Sequence, residues 1–288
     1  MSFINVVYAF DNNYYYITHV SMKSIMLNQK NSTFIKFYIL VHVSIYQKQK
    51  EVIDSICQEH INCNITYFIL KNEFKDISTK GRIKRTTAIY YRLLIQNLLK
   101  NEKKALYFDC DILVYKDLNQ FYNYNISDKY YLGQYEGRPI RKYGKHLRDF
   151  INSGAILINL ENLRKDNIYE KIYAFLKRNN KKLKFLDQDA INVVCNEKNK
   201  FLPPYYVSSG VCNSNTFKAL IKNKINNSKI IQNLKEPYIF HFKRYPKPWH
   251  RIAKNKNLVC FDFFHRFYEY ARKSNYYFEI LENFKVHF

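Results

Sequence analysis

Two aspartates separated by one residue interrupt an otherwise apolar segment, Tyr107-Phe108-Asp109-Cys110-Asp111-Ile112-Leu113-Val114. If 105–114 is one strand, alternation puts Asp109 and Asp111 on one face and Cys110 on the other. Two carboxylates that close repel each other unless a cation or a proton lies between them. A hard divalent ion relieves the repulsion, and Mn²⁺ or Mg²⁺ keeps coordination positions open for phosphate oxygens. The residues alone also admit a bland reading, two solvated acids at a strand end. The apolar neighbours on both sides weigh against it, because solvated acids rarely interrupt a core strand.

Three further segments carry chemistry-bearing side chains. In His241-Phe242-Lys243-Arg244-Tyr245-Pro246-Lys247-Pro248-Trp249-His250, a neutral imidazole suits a metal already held by two carboxylates. Lys247, set between two prolines, offers a point charge to a diphosphate. By itself the segment reads as a basic surface loop around a packed tryptophan. Asp187-Gln188-Asp189 opens a helix, where acids ordinarily complement the helix dipole. Asn152-Ser153-Gly154 precedes an apolar run and reads as a turn.

These segments need a scaffold, and the sequence supplies one. Short apolar runs alternate with helical patterns, the signature of a parallel sheet with crossover helices. Strands are expected over 3–10, 34–43, 64–70, 105–114, 130–134 and 155–160. Asn12 or Asn13 is placed to cap a first helix along which Ile17, Val20, Ser24 and Leu27 recur at helical spacing. Further helices are expected over 47–60, 86–100, 167–178 and 188–195, the third-last carrying Arg92 among apolar neighbours. Residues 71–85 form a polar, Lys-rich loop or lid. The tail, 251–288, is helical, basic and aromatic, with Phe263, Phe267 and Tyr270 at helical spacing beside Arg266 and Lys273. It either packs on the main domain or lies in a membrane interface.

The chain has 288 residues, enough for one large α/β domain. With 47% hydrophobic and 17% aromatic residues it is not disordered, and only 6 Gly and 6 Pro exclude fibrous or low-complexity architecture. Its 47 Lys and Arg against 24 Asp and Glu leave +23, which favours an anionic partner. Nucleic acid, anionic lipid and a phosphorylated substrate all fit that sign. The six cysteines form no CxxC pair, so neither a zinc site nor a disulfide framework is expected, and a reducing compartment follows. The N-terminus has no signal-like core and no stretch approaches membrane-spanning length, so a cytoplasmic, peripheral protein is expected.

Taken in order, Ala9-Phe10-Asp11-Asn12-Asn13-Tyr14, the Asp-x-Asp pair, Asn-x-Gly, Asp-Gln-Asp and the His241…Lys247-Pro248-Trp249 segment resemble glycosyltransferase family eight. That family includes bacterial lipooligosaccharide galactosyl- and glucosyltransferases and glycogenin, and the resemblance covers about 3–250. It implies an α/β GT-A fold, a Rossmann-like mixed sheet flanked by helices, with the tail as a helical appendage. A catalytic domain over 1–250 would divide into a nucleotide part, about 1–115, and a donor-sugar and acceptor part, about 116–250. It implies retaining transfer of galactose or glucose from a UDP-sugar, with Mn²⁺ or Mg²⁺ as cofactor. By position, Ala9, Asp11, Asn13 and Tyr14 would hold the uridine, and Asp109, Asp111 and His241 the metal. Lys247 would meet the diphosphate, with Cys110 in the same donor site. Arg92, Asn152, Ser153 and Asp187 would face the donor sugar. Gln188 would lie beneath its anomeric carbon, with Asp187 and Asp189 beside it as catalytic candidates. The family's usual Gly between the His and the Lys allows close backbone approach to phosphate; Arg244 stands there in this sequence and either supplies a charged contact instead or displaces that loop.

The partners implied are a UDP-hexose, an oligosaccharide or lipid-linked glycan acceptor such as lipooligosaccharide, and an anionic membrane surface. A basic nucleic-acid-binding protein is the reading from another class. Scattered lysines and the lack of any RNA-binding signature speak against it. A sugar-nucleotide-binding module without turnover is the third.

Overall fold

The structure is a computed structural model that describes residues 2–44, 47–80, 86–136, 140–142, 145–147, 150–203, 206–209, 237–243, 247–249 and 261–284. Strands buried on both faces read as continuous apolar runs. β1 (Ser2–Phe10) does so from Ile4 onward, and α1 (Tyr15–Asn28) joins it to β2 (Thr33–His42), in which buried and half-buried residues alternate before a fully buried stretch at Ile39–Val41. Helix α1 is buried without a break from Tyr16 to Met26, which is why it shows no polar stripe. Its buried hydroxyls are satisfied internally: Ser21 shares a hydrogen bond with Tyr8, and the Ser24 hydroxyl accepts from the Val114 amide at 2.9 Å. Neither Asn12 nor Asn13 caps it; Tyr14 holds that position without a side-chain bond. The Asn13 amide donates to Asp11 Oδ1 at 3.0 Å instead.

Next come α2 (Gln47–Glu59) and the edge strand β3 (Cys63–Leu70). Cys57 and Cys63 are bridged across the turn between them, with Cα atoms 5.6 Å apart, inside the disulfide range. The expectation of free thiols throughout is corrected there; a six-residue separation brings two cysteines together without any recognisable spacing motif. Cys110 and Cys195 are free and buried.

The helix expected over 86–100 is instead a 3-10 helix (Thr87–Leu94) followed by the short α3 (Ile95–Leu98). Tighter winding suits a connector, and here it buries Ala88, Tyr90, Tyr91, Leu93 and Leu94 together with Arg92. The strand expected over 105–114 is two strands, β4 (Lys104–Phe108) and β5 (Ile112–Val114). Asp109-Cys110-Asp111 is the turn between them. The two acids therefore do not share a strand face, and alternation is not what brings them together.

The chain continues through α4 (Asn119–Tyr122), β6 (Tyr131–Tyr135) and a small hairpin, β7 (Ile140–Lys142) with β8 (Lys145–Leu147). Strand β9 (Ile151–Asn159) begins earlier than its apolar run, so Asn152-Ser153-Gly154 is buried strand and not a turn. Then follow α5 (Leu160–Lys165), α6 (Ile168–Arg178), α7 (Asp187–Val194), β10 (Asn199–Phe201), β11 (Val207–Ser208) and β12 (Ile239–His241). Seven strands form one mixed sheet in the order β10-β6-β9-β4-β1-β2-β3, and a second sheet runs β11-β12-β5. Side-chain alternation divides the core between the two faces of the large sheet: Ile4, Val6 and Tyr8 on one, Val7 and Ala9 on the other.

The tail forms α8 (Phe261–Ala271) and α9 (Tyr277–Asn283). Phe267, Tyr270, Ala271 and Ile280 are buried in the core that also holds Trp249. The Phe267 ring lies 5.0 Å from Trp249, and Asn28 of α1 donates to the Tyr270 hydroxyl at 2.8 Å. Of the two expectations for the tail, packing on the domain is the one these contacts support. Phe263 lies among helix residues whose side chains are outside the description. No helix among the described residues is long and apolar enough to cross a membrane.

Candidate functional site

Strand register gathers the site at the carboxyl ends of the interior strands β1 and β4 of the large sheet. β1 and β4 are parallel with Tyr8 opposite Phe108, so the residues that follow each strand emerge side by side. β9 runs antiparallel to β4 with Ala155 opposite Phe108, which sets Gly154 against Asp109; the Asp109 amide donates to Gly154 O at 2.7 Å. β12 runs antiparallel to β5 with His241 opposite Ile112, which delivers the imidazole to Asp111.

His241 Nε2 lies 3.1 Å from Asp111 Oδ1 and 3.6 Å from Asp109 Oδ2. One ligand atom from each of the three falls within 4.8 Å of the others. The donor set fits a hard divalent ion: two carboxylates and one imidazole whose other nitrogen, Nδ1, is buried and has no hydrogen-bond partner among the described residues. The space beside it is kept by Gly154, where a Cβ would stand 2.3 Å from His241 Cε1 and 2.4 Å from Asp109 Oδ2. Lys247, buried like Asp111, pairs with Asp111 Oδ2. Burial pushes the Asp111 carboxyl up, but Lys247 and His241 outweigh it and hold the group well below the usual carboxylate range.

Behind the cluster lies a buried charge network centred on Arg92. Its guanidinium meets Asp109 Oδ1 at 2.9 Å and Asp187 Oδ2 at 3.0 Å, donates to Ser153 O at 2.6 Å, and stacks 4.3 Å from the Tyr107 ring centre. Burial works against the Arg92 charge, and Asp109 and Asp187 more than offset it. Burial raises Asp187 to about 6, opposed by Arg92 and reinforced by Asp109. The Tyr107 hydroxyl, kept protonated by burial, donates to Asp109 Oδ1 at 3.1 Å.

Gln188 is the surface of this network. Its Oε1 accepts from Asn152 Nδ2 at 3.1 Å and from the Ser153 amide at 3.2 Å, while the Ser153 hydroxyl donates to Asp187. Asn192, one turn further along α7, donates to Ile151 O and accepts from the Ile151 amide, which fixes the helix against β9. Leu186, just before Asp187, has φ 49 and ψ −114, a strained conformation for a leucine. Asp189 stands apart: its Oδ2 accepts from the Lys184 and Phe185 amides and secures the loop into α7.

At the end of β1, Asp11 Oδ2 accepts from Thr86, linking the residues after β1 to the start of the 3-10 helix. Asn13 and Tyr14 follow at the entry to α1, and Ala9 is the last residue but one of β1, its carbonyl 3.7 Å from Cys110 Sγ. Burial pushes the Cys110 thiol up, so the side chain faces inward as a neutral group. Arg244 lies outside the described residues. The site residues are thus brought together with Asp189 turned to a backbone role. The sequence does not single out Tyr107 or Asn192, nor Gly154 as a spacer; the place of Tyr107 next to the aspartates and of Gly154 in the Asn-x-Gly motif are the signals it offers.

A family model described as Glycosyl transferase family 8 matches residues 5–253. A Haemophilus influenzae protein bearing a glycosyltransferase name is 29% identical over 209 residues, which are 69% of this chain and 61% of that protein. This chain therefore spans about three-fifths of that relative's length. A lipopolysaccharide 1,2-glucosyltransferase of Escherichia coli K12 is 25% identical over 263 residues, 87% of this chain and 74% of that one. Among solved structures, galactosyltransferase LgtC in complex with donor and acceptor sugar analogs superposes with a TM-score of 0.74 at 19% identity, covering 94% of this chain and 96% of that one. That likeness establishes the GT-A fold.

Proposed function

The chain belongs to glycosyl transferase family 8, and from that premise we propose that it moves galactose or glucose from a UDP-sugar to a glycan acceptor with retention of anomeric configuration. One observation carries the reading: Asp109, Asp111 and His241 converge beside Lys247 at the carboxyl ends of β1 and β4. That is where open α/β sheets bind nucleotides. Asp109, Asp111 and His241 would hold Mn²⁺, with Mg²⁺ as the alternative. When bound, the ion supplies charge neutralisation to the departing diphosphate.

The chain's own residues account for the remainder. Ala9, Asp11, Asn13 and Tyr14 border the place for the uridine. Arg92, Asp187, Ser153 and Asn152 present a rigid polar wall to the donor sugar, since the first three fix one another and Asn152 is held by Gly154 and Gln188. Gln188 is a poor nucleophile whose amide oxygen is engaged by Asn152 and Ser153. Those bonds favour a positioning role and same-face attack by the acceptor, with a donor phosphate oxygen taking its proton. The E. coli relative's name supports a lipopolysaccharide-type acceptor, and the +23 charge supports an anionic membrane surface as the place where a lipid-linked acceptor is met.

Incubation with UDP-galactose or UDP-glucose and Mn²⁺ should release UDP, and EDTA should stop the release. Binding of UDP without turnover of any UDP-hexose would leave a sugar-nucleotide-binding module and overturn the proposal.

A further inference from the structure

Asp111 turns its two oxygens to different partners: Oδ1 faces His241, its fellow candidate ligand, and Oδ2 is held by Lys247. Lys247 is 6% exposed and Asp111 8%, so this is a buried ion pair and not a surface contact. A divalent ion arriving at the cluster therefore meets a carboxylate that already has a counter-ion. Binding the ion through Asp111 makes one carboxylate serve two cations, which weakens its pairing with the buried ammonium, and weakening a buried pair is unfavourable. A diphosphate that enters with the ion returns an anion to that ammonium.

We infer that Lys247 is an internal competitor of the metal at Asp111, and that its transfer from Asp111 to the diphosphate couples metal binding to nucleotide binding. The inference rests on the reading of a metal-dependent UDP-sugar site. It predicts weak binding of the ion alone and much tighter binding in the presence of the nucleotide. The coupling is reciprocal, so the ion tightens the nucleotide by the same factor.

The experiment counts Mn²⁺ bound to the full chain by electron paramagnetic resonance of the free ion, with and without saturating UDP. In the parent chain UDP should tighten Mn²⁺ by at least about tenfold, within the usual range of such couplings. In Lys247→Met, Mn²⁺ alone should bind about tenfold tighter than in the parent, while UDP binds more weakly. Lys247→Arg keeps the cation and should retain weak binding of Mn²⁺ alone. A merely structural lysine would give the opposite sign, since its loss would weaken both ligands. Trp249, the chain's one tryptophan, gives a second readout. The Lys247 ammonium lies 5.7 Å from its ring centre. Diamagnetic Mg²⁺ should shift its emission in the parent chain and leave Lys247→Met unchanged. Mn²⁺ binding in Lys247→Met no tighter than in the parent overturns the competition while leaving the metal site intact. A parent chain that binds no Mn²⁺, with or without UDP, overturns the metal reading and the inference together.

Discussion

At Gly154 a single methyl group would collide with two of the three candidate ligands at once. The position is buried strand, flanked by the backbone bond from Asp109, so neither the glycine nor its neighbours can move far. Gly154→Ala should leave the fold in place at a strain of about 1–3 kcal/mol. It should weaken Mn²⁺ binding roughly 10–100-fold, as disturbed ligand orientation commonly does. Calorimetric titration with Mn²⁺ in the presence of UDP reads this directly; unchanged affinity would place the ion elsewhere. Asp109→Asn and Asp111→Asn test the ligands themselves. Each should lower turnover by roughly a thousandfold, the equivalent of about 4 kcal/mol of lost charge stabilisation, with the circular-dichroism spectrum retained. Near-parental UDP release in either variant would refute the ligand assignment.

Arg92 joins three elements that are distant in sequence: the 3-10 helix that carries it, β9 through Ser153, and α7 through Asp187. Removing it strands two carboxylates, one of them fully buried, so Arg92→Ala should cost about 3–5 kcal/mol of stability. Asp187→Asn in the same chain should restore part of that loss, because the remaining amide carries no charge to strand. Denaturant titration of both single variants and the double checks the coupling, and strict additivity would show that the pair does not act as a unit. These elements also mark how far the sequence could be read. β1, β2, α2 and β3 fall within a residue or two of expectation because each is a single apolar run or amphipathic stretch bounded by polar residues. The interval 105–114 does not, because an uninterrupted apolar run with two acids looks the same whether the strand continues or crosses to another sheet. Asn152-Ser153-Gly154 was read as a turn from composition, yet its polar groups are satisfied by Gln188, Asp187 and Arg92, partners that no local rule supplies. The 3-10 winding of Thr87–Leu94 was equally hidden, since its apolar content suits an α-helix as well. The candidate ligands are legible because their chemistry is rare inside a core; the Tyr107 and Asn192 supports are not, because each acts through tertiary contact, and Gly154 is legible as part of a motif but not as a spacer.

For the whole molecule, two buried groups set opposing responses to pH. The folded chain keeps a proton on Asp187 up to about 6, whereas an exposed aspartate loses it near 4. The native state therefore binds the extra proton between those values, and stability falls as pH rises across them. His19 behaves in reverse. Burial lowers it to about 4, its Nδ1 lies 2.8 Å from Val52 O, and its Nε2 bonds Ser274 of the segment joining α8 to α9. Unfolded histidine takes up a proton below about 6.5, so this group makes stability rise with pH over the same window. The two contributions thus oppose each other between pH 4 and 6. Asp187→Asn should reveal a rise and His19→Gln a fall, each at most about 1.4 kcal/mol per pH unit per proton. Thermal melts across that range decide it, and a pair of variants with the same slope as the parent would contradict both assignments. The tail enters at this scale as well. Deleting 257–288 removes Phe267, Tyr270 and Ile280 from the core, and should lower the melting temperature sharply instead of leaving an intact catalytic domain. Attraction to phosphatidylglycerol vesicles at low salt, reversed by added salt, would then come from the charge of the whole surface and not from an inserted tail helix.

The break between β4 and β5 has a mechanical consequence. Asp109 hangs from the seven-stranded sheet, through its bond to Gly154, while Asp111 and His241 belong to the three-stranded one. An ion gripped by all three is a rivet through the seam between two sheets. Amide hydrogen exchange should register its removal unevenly: chelation should hasten exchange at Ile112 and Phe242, on the lighter plate, and leave Leu106 and Tyr107, deep in the heavier one, as slow as before.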